Sequence, residues 1–242
     1  MPRLNPDLDS RDRSAVRLAL SIGDPAGIGP EVILKALAAP ALGHLRSGRV
    51  HSVAGLIEPV IFGSRALLEA TYDRLRSQTT DPQAPPLADP ADLDIRDMPI
   101  APATIAAIVP GQASTAAGAA GFAYIAAAIE ATLFGEFGGI VTGPIAKATW
   151  QAAGHAYPGQ TELLAERAGV DRFGMLFVGR SPHTGWILRC LLATTHIPLA
   201  QVPIALTADL LSQKLDLLVT CLQREFGLDQ PHIAIAGLNP HS

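Results

Sequence analysis

Apolar and polar positions along the chain fall into two alternating textures. Short, nearly unbroken apolar runs occur at residues 15–22 (AVRLALSI), 59–63 (PVIFG), 138–144 (GGIVTGP), 186–196 (WILRCLLATTH) and 232–242 (HIAIAGLNPHS). Runs of this length, apolar throughout, predict strands covered on both faces. Between them lie longer segments with helical character. One starts at about Pro30, one spans about residues 64–76, and one spans 111–138. Two more cover 163–170 and 208–227, the last being amphipathic. Pro30 and Glu31 suit a first helical turn, where a missing N–H is harmless and a carboxylate meets the positive helix end. Ser114 is the expected cap of the 111–138 helix and Gly135 its stop. Strands alternating with helices predict an α/β fold with a largely parallel sheet. Residues 1–14 read as a mobile tail, and the Pro-, Asp- and Gln-rich segment 77–94 as a surface excursion.

Composition narrows the classes. The chain has 242 residues, 48% of them apolar and 17% charged, which excludes a disordered chain. A formal net charge of −4, without a dense basic cluster, argues against a nucleic-acid partner. The alanine-rich stretch 116–134 is interrupted by Gly118, Gly121 and Glu130, so it reads as a buried helix rather than a membrane span. The polar N-terminus lacks the apolar core of a signal peptide, which points to the cytoplasm. Cys190 and Cys221 have no C-x-x-C spacing and sit among apolar residues, as buried free thiols do.

Four polar clusters stand at the C-terminal ends of apolar runs: GDPAGIGPE (23–31), TGPIAK (142–147), TTH (194–196) and NPH (239–241). In an open parallel sheet ligands bind beyond the carboxyl ends of the strands, so all four are expected to line one cleft. The first holds three glycines, two prolines and two carboxylates in nine residues, as if something must approach its backbone closely. It could cradle a phosphate or be a bare structural turn; it is neither a P-loop nor a dinucleotide fingerprint. Lys147 could neutralise an anionic substrate or move a proton, or be simply solvated. His196 and His241 carry imidazoles suited to zinc, cobalt or nickel, although two histidines do not complete a site, and each could equally be a satisfied structural histidine. His44, His51, His155, His183 and His232 read as ordinary surface residues.

GDPAGIGPE, IVTGPIAK, GQTELLAE, LLATTHIPL and AGLNPH, in this order, resemble the 4-hydroxythreonine-4-phosphate dehydrogenase (PdxA) family from about Arg17 onward. The resemblance implies an α/β/α two-domain fold like that of isocitrate and isopropylmalate dehydrogenases, incomplete at the C-terminus. The first domain would span residues 15–140, and the second, 141–242, would carry metal ligands and dimer contacts. It further implies a cytoplasmic homodimer acting on a small phosphorylated hydroxy acid, with no nucleic-acid or membrane partner. NAD or NADP would oxidise 4-phosphooxy-L-threonine. The β-keto acid formed would lose carbon dioxide to give 3-amino-2-oxopropyl phosphate, for pyridoxal phosphate synthesis. A divalent metal (Zn, Mg or Co) would be held by three histidines, of which His196 and His241 match two. Lys147 matches as catalytic, and Asp24, Gln160 and Thr161 as substrate-binding.

Two departures qualify this expectation. The family reads G-H-T-E where this chain has Gln160, and an amide cannot carry a proton or a charge. The family also continues past Ser242, with a Y-H-D-Q-G motif bearing the third metal ligand and much of the nucleotide site. The 242 residues alone are therefore expected to be a poor dehydrogenase. The alternatives are a relative acting on threonate or erythronate 4-phosphate and a non-catalytic remnant.

Overall fold

The computed structural model describes residues 15–38, 50–52, 55–79, 81 and 83–240. The chain forms two compact units, Met1–Leu164 and Ala165–Ser242.

The first unit is built around a sheet whose central strand is β1 (Val16–Ser21), flanked by β3 (Gly55–Gly63) and β5 (Gly139–Thr142), both parallel to it. The outer edge of β3 pairs at its start with the antiparallel β2 (Val50–Ser52) and at its end with the parallel β4 (Ile95–Asp97). The helices are α1 (Gly29–Ala38), α2 (Arg65–Gln78), α3 (Pro102–Ala106), α4 (Thr115–Leu133), α5 (Lys147–Ala152) and the beginning of α6 (Gln160–Ala168).

Alternation along β3 covers both sheet faces. Ile61 packs with Ile22, Leu34, Leu68 and Tyr124, whereas Val60 and Phe62 pack with Ala19, Ala128 and Phe137. Helix α4 contributes to both of these clusters. It also places Phe122, Ile125 and Ile129 in a third, against Trp150 and Leu163. An all-round apolar helix is what such a position requires. By length and composition α4 could cross a membrane, but its apolar residues are largely buried inside this unit. The expected cap and stop of α4 are present, since Ser114 Oγ accepts from Ala117 N and Gly135 follows the helix with φ of 83°; Ser64 Oγ, accepting from Leu67 N, caps α2 in addition. At the sheet rim, Arg96 lies over the Phe62 and Phe137 rings and bonds Glu136 at 2.7 Å, which holds the Glu136 carboxyl below the usual range.

The second unit holds an antiparallel hairpin, β6 (Leu176–Arg180) and β7 (Ile187–Leu191), followed by α7 (Val202–Ala205) and α8 (Ala208–Arg224). Thr207 caps α8, and Lys214 Nζ donates to the Phe173 carbonyl at 2.9 Å.

Several expectations are corrected here. The 186–196 run is not a buried strand: only Ile187–Leu191 is extended, Leu188 is 44% exposed, and its partner is an antiparallel strand. Residues 232–238 form no strand, because no strand among the described residues supplies ladder partners. Cys190 and Cys221 are free as expected, but Cys190 is exposed. The 77–94 excursion is tied to the core at its far end, where Ala88, Pro90 and Leu93 are buried and Ala88 N donates to Leu34 O.

Candidate functional site

Strands β1 and β5 are neighbours, with Ser21 opposite Thr142 at their carboxyl ends, so GDPAGIGPE and TGPIAK leave the sheet side by side. Backbone bonds join the two turns. Gly143 N donates to Ser21 O at 2.7 Å, and Asp24 N donates to Pro144 O at 2.8 Å. The glycines serve this joint. A Cβ on Gly23, which has φ of 72°, would stand 2.3 Å from Pro144 O. One on Gly143 would stand 2.5 Å from Ile22 O, and one on Gly29 1.9 Å from the same oxygen. Across the turn, a Cβ on Gly121 of α4 would lie 2.9 Å from Gly23 O. What approaches the glycine turn closely is the chain itself. Only Gly27, exposed and with nothing nearer its Cβ position than 3.4 Å, faces free space.

Asp24 is nearly buried, and its Oδ1 accepts from Ala26 N at 2.9 Å, the local bond that shapes an Asx turn. The other side chains at this strand end come from α5 and α6. Gln160, the first residue of α6, bridges the end of β5: Thr142 Oγ1 donates to Gln160 Oε1 at 2.7 Å, and Gln160 Nε2 donates to Gly143 O at 2.9 Å. Thr161 follows it, half-buried. Lys147, exposed at the start of α5, reaches toward the same loop. Its Nζ lies 3.7 Å, and Glu162 Oε2 3.1 Å, from the point where a Cβ on Gly159 would stand. The structure thus gathers Asp24, Lys147, Gln160 and Thr161 at one end of two adjacent strands. Glu162 joins them. Sequence reasoning passed over it, although an acid in the first turn of a helix after a Pro-Gly loop was the available signal. His155 is not an ordinary surface histidine, since its ring stacks on Phe122 at 3.5 Å between centroids.

The other two clusters differ from expectation. TTH follows the antiparallel β7 of the second unit, and NPH follows no strand. His196 is exposed and has φ of 57°, in the left-handed region that few residues other than glycine adopt. Strained backbone of this kind concentrates at functional positions. His241 lies outside the described residues. Among the described residues no three His, Cys, Asp or Glu side chains group as a metal site would need. They therefore offer one candidate imidazole and not the set of three that a catalytic zinc takes.

Polar loops converging beyond adjacent parallel strands mark an α/β protein of the class that binds small ligands at its strand ends. A family model described as pyridoxal phosphate biosynthetic protein PdxA matches residues 55–242. The 4-hydroxythreonine-4-phosphate dehydrogenase of Nostoc sp. (strain PCC 7120 / SAG 25.82 / UTEX 2576) is 53% identical over 238 residues, covering 98% of this chain and 62% of the relative. That of Synechocystis sp. (strain ATCC 27184 / PCC 6803 / Kazusa) is 52% identical, covering 95% and 61%. The crystal structure of the Klebsiella pneumoniae 4-hydroxythreonine-4-phosphate dehydrogenase superposes with a TM-score of 0.73 at 30% identity, covering 94% of this chain and 65% of that one. A terephthalate 1,2-cis-dihydrodiol dehydrogenase from Burkholderia xenovorans LB400 superposes with a TM-score of 0.57 at 28% identity, covering 94% and 63%. The chain belongs to the PdxA family. It spans about three fifths of the length of the curated relatives it matches.

Proposed function

We propose that this chain carries the strand-end half of a dehydrogenase site that oxidises 4-phosphooxy-L-threonine with NAD or NADP, in pyridoxal phosphate synthesis. A nicotinamide, when bound, would supply the hydride acceptor for the carbinol C–H, while the hydroxyl proton would pass to a base. The resulting β-keto acid then breaks its carboxylate C–C bond, releasing carbon dioxide and, after protonation, 3-amino-2-oxopropyl phosphate. The observation that carries this reading is the meeting of Lys147, Gln160, Thr161 and Asp24 beyond β1 and β5, on a chain of this family.

Each residue has a defined part. The Lys147 ammonium opposes the charge of a phosphorylated acid and can return a proton to the carbon left by decarboxylation. The Thr161 hydroxyl, beside Gln160, donates to substrate oxygens. Asp24 shapes the β1 turn through Ala26 N and presents its second oxygen to the substrate. A divalent ion bound by His196 and His241 with a further ligand would polarise the substrate hydroxyl. The described residues do not form that set, so no step here depends on it.

The chain pairs as a homodimer in the cytoplasm. One face of the β6–β7 hairpin supports the pairing. Phe177, Gly179, Leu188 and Cys190 share that face by register, with Phe177 53% and Leu188 44% exposed. Gln160 favours a second reading, a related four-carbon acid such as threonate or erythronate 4-phosphate, because its amide cannot supply the charge of the family's histidine.

Titration calorimetry with 4-phosphooxy-threonine, threonate 4-phosphate and erythronate 4-phosphate, followed by nucleotide reduction with zinc, magnesium or cobalt present, tests the proposal. Preferential binding of the first ligand, weakened about tenfold or more by Lys147→Met, is expected for the loss of a charge-assisted contact. Preference for either of the other two selects the second reading. No binding of any of the three overturns both.

A further inference from the structure

The two bonds of Gln160 fix one another's direction. A backbone carbonyl can only accept, so the amide atom facing Gly143 O must be the nitrogen, Nε2, at 2.9 Å. The oxygen, Oε1, then faces Thr142, and the Thr142 hydroxyl, 2.7 Å away, has to donate. The turn held in this way also receives Asp24 N on Pro144 O and gives Gly143 N to Ser21 O. One side chain thus secures the start of α6, the end of β5 and, through the turn, the β1 loop.

We propose that Gln160 is the positioning residue of this strand end. Its neutral amide holds the Thr142 hydroxyl and the Gly143–Pro144 turn in place at every physiological pH, leaving ligand charge to Lys147 and Thr161. The charged groups at the loop that precedes it are Lys147 on α5 and Glu162 on α6, both near Gly159, while the Asp24 carboxylate of the β1 loop is engaged with Ala26 N. The Gly143 carbonyl is the contact that demands a donor.

That demand can be tested by pH. In Gln160→Glu the protonated carboxyl reproduces the amide pattern, its O–H donating to Gly143 O and its C=O accepting from Thr142. The ionised form points an anionic oxygen at a carbonyl oxygen. The introduced carboxyl therefore has its folded pKa raised above its unfolded value of about 4.3, a direction that the Lys147 ammonium opposes and the Glu162 carboxylate reinforces. The penalty is absent below that unfolded value, and it grows as pH rises from there toward the raised one.

The experiment measures the melting temperature of the wild-type chain, Gln160→Glu and Gln160→Met between about pH 3.8 and pH 8, a window that opens below the carboxyl's unfolded value. Gln160→Met should lose about 2–4 °C throughout, the shift expected when one hydrogen-bonded clip is removed from a domain of this size. Gln160→Glu should match wild type near the acid end and fall below it near the alkaline end. An equal penalty at both ends, or none at either, overturns the proposal. The functional consequence rests on the dehydrogenase reading: the ratio of kcat/KM in Gln160→Glu to that in wild type should follow the same pH course. If the melting pattern appears and wild type oxidises no substrate, the clip stands and the dehydrogenase reading fails. If turnover is present and the melting pattern is absent, the clip fails alone.

Discussion

Replacing Gly29 by alanine would show whether the glycine turn serves its own chain or a ligand. The added Cβ would lie 1.9 Å from Ile22 O, where real Cβ contacts essentially never fall below 3.0 Å. The obstructing atom is backbone, so no rotamer relieves it, and the end of β1 has to move by about 1 Å or more. That movement strains two contacts, the 3.2 Å bond from Ile22 N to Phe62 O and the close passage of Gly143 past Ile22 O. Overpacking of this kind costs about 1–3 kcal/mol and a lost backbone bond about 1 kcal/mol more, so the total is about 2–4 kcal/mol. Gly27, two residues earlier, is the internal control. Its Cβ position is 3.4 Å from Asp24 O, an ordinary contact, and its φ is not in the left-handed region. Gly27→Ala should change stability by no more than about 0.5 kcal/mol, since it also restricts the unfolded chain.

Urea unfolding followed by tryptophan emission reads the difference. Trp150 is buried in the first unit, whereas Trp186 is 63% exposed, so the spectral change on unfolding comes mainly from Trp150. The reasoning is refuted if Gly29→Ala unfolds at the same urea concentration as wild type. It is also refuted if the two variants lose equal stability.

Three further outcomes follow from other parts of the molecule. Arg96 holds the Glu136 carboxyl below its usual range, so the bridge's contribution is present above the ordinary glutamate pKa of about 4.3 and is lost as pH falls through the lowered folded value. Glu136→Gln should therefore melt lower than wild type near neutrality and equal to it in strong acid; a constant gap would show that the charge is irrelevant. His196→Gly should raise stability by up to about 1 kcal/mol, by relieving the left-handed backbone, and should reduce zinc bound at equilibrium by inductively coupled plasma analysis. Unchanged zinc content would remove His196 from the metal proposal. On the proposed homodimer, Phe177→Asp combined with Leu188→Asp should halve the mass seen by analytical ultracentrifugation, and an unchanged mass would remove this face from the pairing proposal.

What was legible in the sequence divides along physical lines. Ser114, Gly135 and Pro30 act through their own few neighbours, and the helix boundaries they predict are nearly those observed. Apolar runs identified β1, β3 and β5, because strands covered on both faces have no polar interruption. The same criterion misread residues 232–238, since an apolar run does not reveal whether a partner strand exists. It missed β4, only three residues long, and β6, whose run is punctuated by Gly174 and Gly179. At the site, residue types placed Lys147 at a strand end, and Gln160 was singled out only by the family resemblance. The bridge from Gln160 to Thr142 and Gly143 was not legible, because it spans the loop between β5 and α6 and depends on where that loop returns.

The division between backbone and side chain at this strand end bears on how the fold accepts different substrates. The floor is backbone: Gly23, Gly29, Gly121 and Gly143 are held at distances where a single added carbon would collide with a carbonyl oxygen. Such a floor is rigid and tolerates little change. The walls are side chains on the first turns of α5 and α6, namely Lys147, Gln160, Thr161 and Glu162, and these can be exchanged without moving a strand. A site with a fixed floor and replaceable walls can keep its geometry while its ligand changes. Gln160 stands at the boundary between the two. Its position belongs to the wall, but both ends of its amide are spent on the floor, so exchanging it alters the support of the site before it alters any contact with a ligand.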